Sequence, residues 1–167
     1  MSTTTNTKTA FPSSLDGRVL ERILDEGYGR GAWHGADMKD ALADISAELA
    51  FWRPADERHN IAEIALHHAY FVRLVRGRLS AQALEPFVLE GDDWFTLSGD
   101  NALNWPDIKA VVESEQRQLA SVCAEIAAGR LQASLSIAES FDNVLGITCH
   151  AIYHAGQVQL IKKLHES

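Results

Sequence analysis

Apolar positions recur at helical spacing in four stretches of this chain, and almost nowhere do they alternate as a strand requires. The first stretch follows Pro12. Ser13 or Ser14 can cap a helix from about Leu15 to Asp25, with Val19, Leu20, Ile23 and Leu24 on its apolar side. The four glycines of GYGRGAWHGAD should end it. A short amphipathic piece, MKDALADISAEL, comes next and stops before the WRP at 52–54. The second long stretch, NIAEIALHHAYFVRLVRGRL, predicts a helix over residues 60 to 79.

Residues 81 to 105 break the pattern with Pro86, two glycines and the run GDDWFTLSGDN. A connection of that length is functional or wraps a bundle end. Pro106 suits the first turn of a third helix, with Asn104 or Trp105 before it. That helix carries Ile108, Val111, Val112, Leu119, Val122, Cys123 and Ile126, and stops at Gly129. LQASLSI alternates weakly and reads as a short extended connector. The fourth helix begins near Ser140 and runs to about His165. The expected fold is therefore all-α, a four-helix bundle with a long connection between its second and third helices. Residues 1 to 12, polar and Thr-rich, read as a flexible arm ahead of a single domain over 13–167.

Composition narrows the function without naming it. Fifteen basic against twenty-three acidic residues give a net charge of −8. That leaves no basic field for a phosphate backbone, so nucleic acid is not expected as a partner. The opening MSTTTNTKTAF lacks the apolar core of a signal peptide, and no stretch approaches 18 apolar residues. A cytoplasmic protein with no membrane partner is the expectation. Cys123 and Cys149 are the only cysteines, too few and too far apart for a disulfide framework or a metal knuckle.

The histidines carry the candidate chemistry. With His150 at zero on the fourth helix, His154 lies at about 40°, Ile161 at about 20°, Ile147 at about 60° and Val158 at about 80°. Leu164, Tyr153 and Leu160 follow on the other side, at about −40°, −60° and −80°. Thr148, Gln159, Lys162 and Lys163 occupy the opposite face. Both imidazoles are thus expected at the middle of the buried face, not at its edge. Two buried imidazoles one turn apart cannot both be charged. They are stable there as neutral, hydrogen-bonded core groups, or tied together by a cation that both coordinate.

A further ligand should come from another helix, and the second one offers His67 and His68. With His67 at zero, Ile64, Phe71, Leu74 and Val75 put the apolar centre at about 50°, and His68 at about 100°. Periodicity does not choose between the two. Glu63, one turn before His67, is placed as an outer acceptor or a fourth ligand. His34, His59 and His165 read as surface or capping residues.

Three segments together resemble the DinB-like (YfiT-like) family of metalloenzymes: AWHGADMKDALADISAELA, HNIAEIALHHAYFVRLVRGRL and NVLGITCHAIYHAGQVQLIKK. The last, with its H-x-x-Y-H-x-G-Q signature, is the most specific. The resemblance implies a metal triad of His67, His150 and His154, because His67 follows the EIAL run and precedes Tyr70 and Phe71. His68 stands where the family is commonly apolar. The resemblance also implies a four-helix bundle with nickel or zinc near one end, and a homodimer. Some relatives are transferases or isomerases that use bacillithiol, mycothiol or glutathione.

A three-histidine site leaves coordination positions open for water or substrate. The leading expectation is a metal-dependent transferase or hydrolase, in which a divalent ion (nickel or zinc first, iron or manganese next) activates a thiol or water toward a small-molecule substrate. The alternative is a metal- or small-ligand-binding helical module without turnover, since no general base is evident. H-A-I-Y-H has Ala where a zincin has Glu, and Glu63 alone is too little for a di-iron carboxylate bundle. Tyr153 stands beside the pair and could donate to a bound anion, although packing is the commoner use of such a residue. Trp94 either seals a bundle end or overhangs the pocket. Asp92 and Asp93 read as a solvated turn, and Arg73 and Arg76 as a solvated or dimer-facing edge. Cys149 points about 100° away from His150 and is not proposed as a ligand.

Overall fold

A short polar side chain opens each of the three longest helices by capping its free amides, an arrangement worth about 1 kcal/mol apiece. Asn60 accepts the Glu63 amide at 2.8 Å, and Glu63 in return accepts the Asn60 amide at 3.3 Å. Ser136 and Glu139 repeat this reciprocal box at the last helix. Asn104 accepts the Asp107 amide ahead of the helix whose first turn holds Pro106. That helix ends at Gly129, whose φ of +66° lets its own amide reach Ile126 O while Arg130 N reaches Glu125 O.

The computed structural model of the protein describes residues 17–29, 32–97 and 102–166. The expected arm at 1–12 and the expected cap at Ser13 or Ser14 lie outside them. Within them the chain is all-α, with six helices and no strand: α1 (Gly17–Tyr28), α2 (Met38–Ala43), α3 (Ala47–Phe51), α4 (Ile61–Ser80), α5 (Trp105–Ala127) and α6 (Ile137–His165). Two expectations are corrected. The amphipathic piece after the glycine stretch is two helices, because Asp37 and Ser46 each cap their own. LQASLSI is a connector only as far as Ser136, which caps α6 and draws Ile137 into its first turn, three residues ahead of Ser140.

The pairings α1–α6, α6–α4, α4–α5 and α5–α1 close a ring of four helices. Gly27 makes the first of these close. A Cβ there would stand 3.0 Å from Ala151 Cβ and 3.2 Å from the Thr148 backbone, so α1 and α6 meet almost backbone to backbone. The interior has two parts. One is aliphatic, around Val72, Val75, Leu79, Leu119 and Val144. The other lies around Ile64, Leu66, Ile108, Ala151, Ala155 and Val158, and extends to Trp105, whose indole donates to Ile45 O at 2.8 Å. The 81–104 connection leaves α4 at Ala81 (φ 52°) and covers this second part with Phe95, buried against Tyr70 and Phe87.

The buried face of α6 is rotated away from the expected one. Val144, Thr148, Ala151, Ala155 and Val158 are at most 4% exposed, whereas Tyr153, Leu160 and Leu164 are 64%, 58% and 49% exposed. His154 is buried, but His150 is only half-buried, at the edge. Thr148, expected outside, faces inward and satisfies its hydroxyl on Val144 O at 2.9 Å. The close approach at Gly27 supplies the reason: α1 covers the small residues of α6, and small residues carry a weak hydrophobic signal in sequence. Arg73 and Arg76 are likewise not a solvated edge. Both turn toward Glu115 of α5, at 3.9 and 3.1 Å.

No helix among the described residues is long and apolar enough to cross a membrane.

Candidate metal centre

From Ile61 to Ala69 every residue of α4 is buried, because α3, α5, α6 and the 81–104 connection surround this end of the helix. His67 and His68 are therefore both interior, and they face different neighbours. His67 Nε2 lies 3.0 Å from His150 Nε2, which lies 3.1 Å from His154 Nε2. Ligand nitrogens of the three fall within 4.8 Å of one another, close enough to hold one ion. Two ligands at about 2.05 Å around a tetrahedral ion stand about 3.3 Å apart, so these separations fit a shared cation after small adjustment. His68 lies behind, with Nδ1 at 3.2 Å from His150 Nδ1 and Nε2 at 2.8 Å from Gln116 Nε2 of α5.

Each triad ring has a partner on its far nitrogen. His67 Nδ1 donates to Asp93, with the backbone carbonyl at 3.0 Å and the carboxylate at 2.9 Å. His154 Nδ1 donates to Gln157 Oε1 at 2.6 Å. His150 Nδ1 faces His68. Such outer partners fix ring orientation and tautomer in histidine metal sites. Asp93 reaches its place by a left-handed backbone (φ 67°) that an Asp tolerates.

Burial dominates the electrostatics. It drives the His150 imidazole down to about 3, helped by His154 and His67. His154 falls to about 4 for the same reason, opposed by its bond to Gln157. Burial lowers His67 too, against the pull of Asp93, and holds the fully buried His68 well below the ordinary value. All four rings are neutral at neutral pH, the form in which imidazole binds a cation.

One flank of the centre is open. A cavity of about 660 Å³ is lined by His154, Trp94, Tyr153, Gln157, Ile64 and Leu160, together with Arg58 and His59. Trp94 is stacked between two imidazoles, 3.5 Å from His59 and 3.9 Å from His67, with each pair tilted by 6°. Trp94 therefore overhangs the centre. The Tyr153 hydroxyl accepts from Gln157 Nε2 at 3.1 Å, and its ring edge meets His154. It is not a packing residue.

The remaining candidates separate clearly. Glu63 does not join the triad. It closes the α4 cap and holds Arg53 and His59. Burial opposes its charge, but Arg53, His59 and the Asn60 amide together keep it below the usual carboxylate range. His34 bonds Glu26 O and His165 packs on Trp52, both outside the centre. Cys149 is exposed, and burial lifts the Cys123 thiol to about 12. Sequence reasoning missed Asp93, Gln116, Gln157 and the stacking of His59. Of these only Gln157 carries a local signal, one turn beyond His154 in the H-x-G-Q run. Asp93 is 26 residues from its partner and Gln116 is 48.

No curated protein and no solved structure matches this sequence. A family match spans residues 31–158, which includes α2 to α5, the long connection and all three triad histidines. On that match the chain belongs to the DinB superfamily.

Proposed function

We propose that His67, His150 and His154 bind one divalent cation through Nε2, and that the loaded centre acts on a small molecule in the adjoining cavity as a metal-dependent transferase or hydrolase. One observation carries this reading. Three Nε2 atoms converge while each Nδ1 is engaged on the outside, beside a cavity that reaches the group. Hydrogen bonds alone can satisfy these neutral imidazoles, but three converging nitrogens 3.0 and 3.1 Å apart beside an open cavity favour a bound cation.

A bound divalent ion supplies Lewis acidity, lowering the pKa of a coordinated water or thiol. The chain does the rest. Trp94 walls one side and limits water on the His67 face. Tyr153 accepts from Gln157, which leaves its own proton to donate into the cavity, where it can hold an anionic oxygen of a substrate. The lining of Trp94, Ile64, Leu160 and Leu164 favours a substrate with an apolar body, and Arg58 favours an acidic group on it. Imidazole accepts zinc, nickel, iron and copper alike, and it is the family resemblance that favours nickel or zinc, with iron or manganese next.

The second reading is a metal- or ligand-binding module without turnover. It is favoured by Asp93, whose carboxylate sits behind His67 rather than where a nucleophile would lose its proton. Elemental analysis of protein purified without an affinity tag tests the metal: about one equivalent is expected, and its absence defeats both readings. Assays of the loaded protein then divide them. Thiol transfer to epoxides or alkyl electrophiles, or ester or amide hydrolysis, supports the enzyme; inertness toward all of these supports the module.

A further inference from the structure

The neutral rings around His150 form one continuous chain of hydrogen bonds, and only two arrangements of protons satisfy it. In the first, the Gln116 amide nitrogen, 2.8 Å from His68 Nε2, donates to that ring. His68 then carries its proton on Nδ1 and donates across 3.2 Å to His150 Nδ1. His150 is left with its proton on Nε2, pointing at the lone pairs of His67 and His154, whose own protons are committed to Asp93 and Gln157. Every donor has an acceptor, and the centre is filled by a proton. In the second arrangement the Gln116 amide is turned by half a turn, which exchanges its nitrogen and oxygen at almost no steric cost. His68 then holds its proton on Nε2 and accepts from His150 Nδ1. Now three lone pairs converge, which is repulsive unless a cation lies between them.

We propose that His68 and Gln116 are positioning residues that set the tautomer of His150, and that cation binding at the triad switches this chain from the first arrangement to the second. The inference rests on the metal-binding reading given above. The change conserves protons: one leaves at His150 Nε2, the one between the rings passes from His68 Nδ1 to His150 Nδ1, and one arrives from water at His68 Nε2. No ring changes its charge. Burial gives the relay its force: His68 is 0% and Gln116 8% exposed, so a lost partner leaves an unsatisfied nitrogen, and the incoming proton reaches His68 Nε2 by the slow exchange with solvent that buried groups undergo through local opening.

The test uses zinc and the full chain. Long-range proton–nitrogen NMR reads which nitrogen of His68 and of His150 is protonated, before and after one equivalent of zinc, and chelator competition gives the zinc Kd. Zinc is expected to move the His68 proton from Nδ1 to Nε2 and the His150 proton to Nδ1. His68→Leu should weaken zinc binding by about 10–100-fold, the usual effect of removing an outer partner, and Gln116→Leu by about tenfold. In Gln116→Leu, which preserves the ring pair, the two His68 tautomers should become mixed. A His68 ring with the same protonated nitrogen in both forms overturns the relay, as do variants that bind zinc like the wild type; in either case the metal reading survives. Wild-type protein that binds no zinc overturns both.

Discussion

Helix α4 passes through two interiors that are held together by different physics. At its C-terminal half, Val72, Val75 and Leu79 meet Leu119 and Val144, and any well-packed apolar group serves there. At its N-terminal half, His67 and His68 face His150, His154 and Gln116, where each buried nitrogen needs one particular partner at about 3 Å. The first interior is tolerant in chemistry and costly in volume. The second is tolerant in volume and costly in chemistry. Mutations in the two halves of one helix should therefore separate stability from metal binding.

The largest effect expected is on the metal. His154→Ala removes an inward ligand and should weaken zinc binding by about a thousandfold or more, since each ligand carries a few kcal/mol. Without metal its Tm should stay within about 5 °C of wild type, measured by calorimetry; a collapse of the fold would break the comparison. Leu79→Ala is the mirror experiment. Leu79 is 1% exposed, so its truncation should cost about 2–5 kcal/mol in denaturant unfolding while leaving one zinc per chain.

The pH dependence sharpens the same contrast. His150 and His154, with values driven down to about 3 and 4, bind no proton between pH 7 and 5.5. Three ordinary imidazoles would lose about 500-fold in zinc affinity over that interval through protonation. The triad is expected to lose less than about tenfold, read by competition titration. The sign for folding follows from the same shifts. The unfolded chain binds protons below its ordinary histidine value near 6.5, and the native rings do not, so stability is fully present above about pH 6.5 and declines as pH falls toward 4. A native state that gains stability on acidification in this window contradicts the buried, neutral rings. A small effect is also expected at Asp93, where Asp93→Ala removes the carboxylate and leaves the backbone carbonyl on His67. Zinc affinity should fall by about tenfold, with kinetic loss of metal faster than in wild type.

Much of the fold was legible in the chain because helix ends obey short-range rules. Asn60 with Glu63, Asn104 with Pro106, and Gly129 mark their boundaries through bonds that span at most five residues. Where the reading slipped, it slipped on small residues. Ser136 hid four residues ahead of the expected start of α6, and Thr148, Ala151 and Ala155 did not announce a buried face as Leu160 and Leu164 did. Hydrophobicity measures what a residue gains from burial, not whether a neighbour such as Gly27 comes close enough to bury it. Asp93 is exposed, as a solvated turn should be, but nothing within the loop reveals that it also accepts from His67.

The sequence by itself determined the i, i+4 pairing of His150 and His154, because helical pitch sets one imidazole a turn from the other whatever surrounds them. It also determined an all-α chain with a long connection, since hydrophobic period and capping residues are local properties. Only the tertiary structure decided how His67 and His68 divide their tasks, one nitrogen meeting the triad and the other ring standing behind it. Phase left the two open because α4 is enclosed on every side at that end, so no exposed face exists for periodicity to detect. The partners that distinguish them, Asp93 for one and Gln116 for the other, arrive from a loop and from another helix, and their positions depend on the packing of the whole ring.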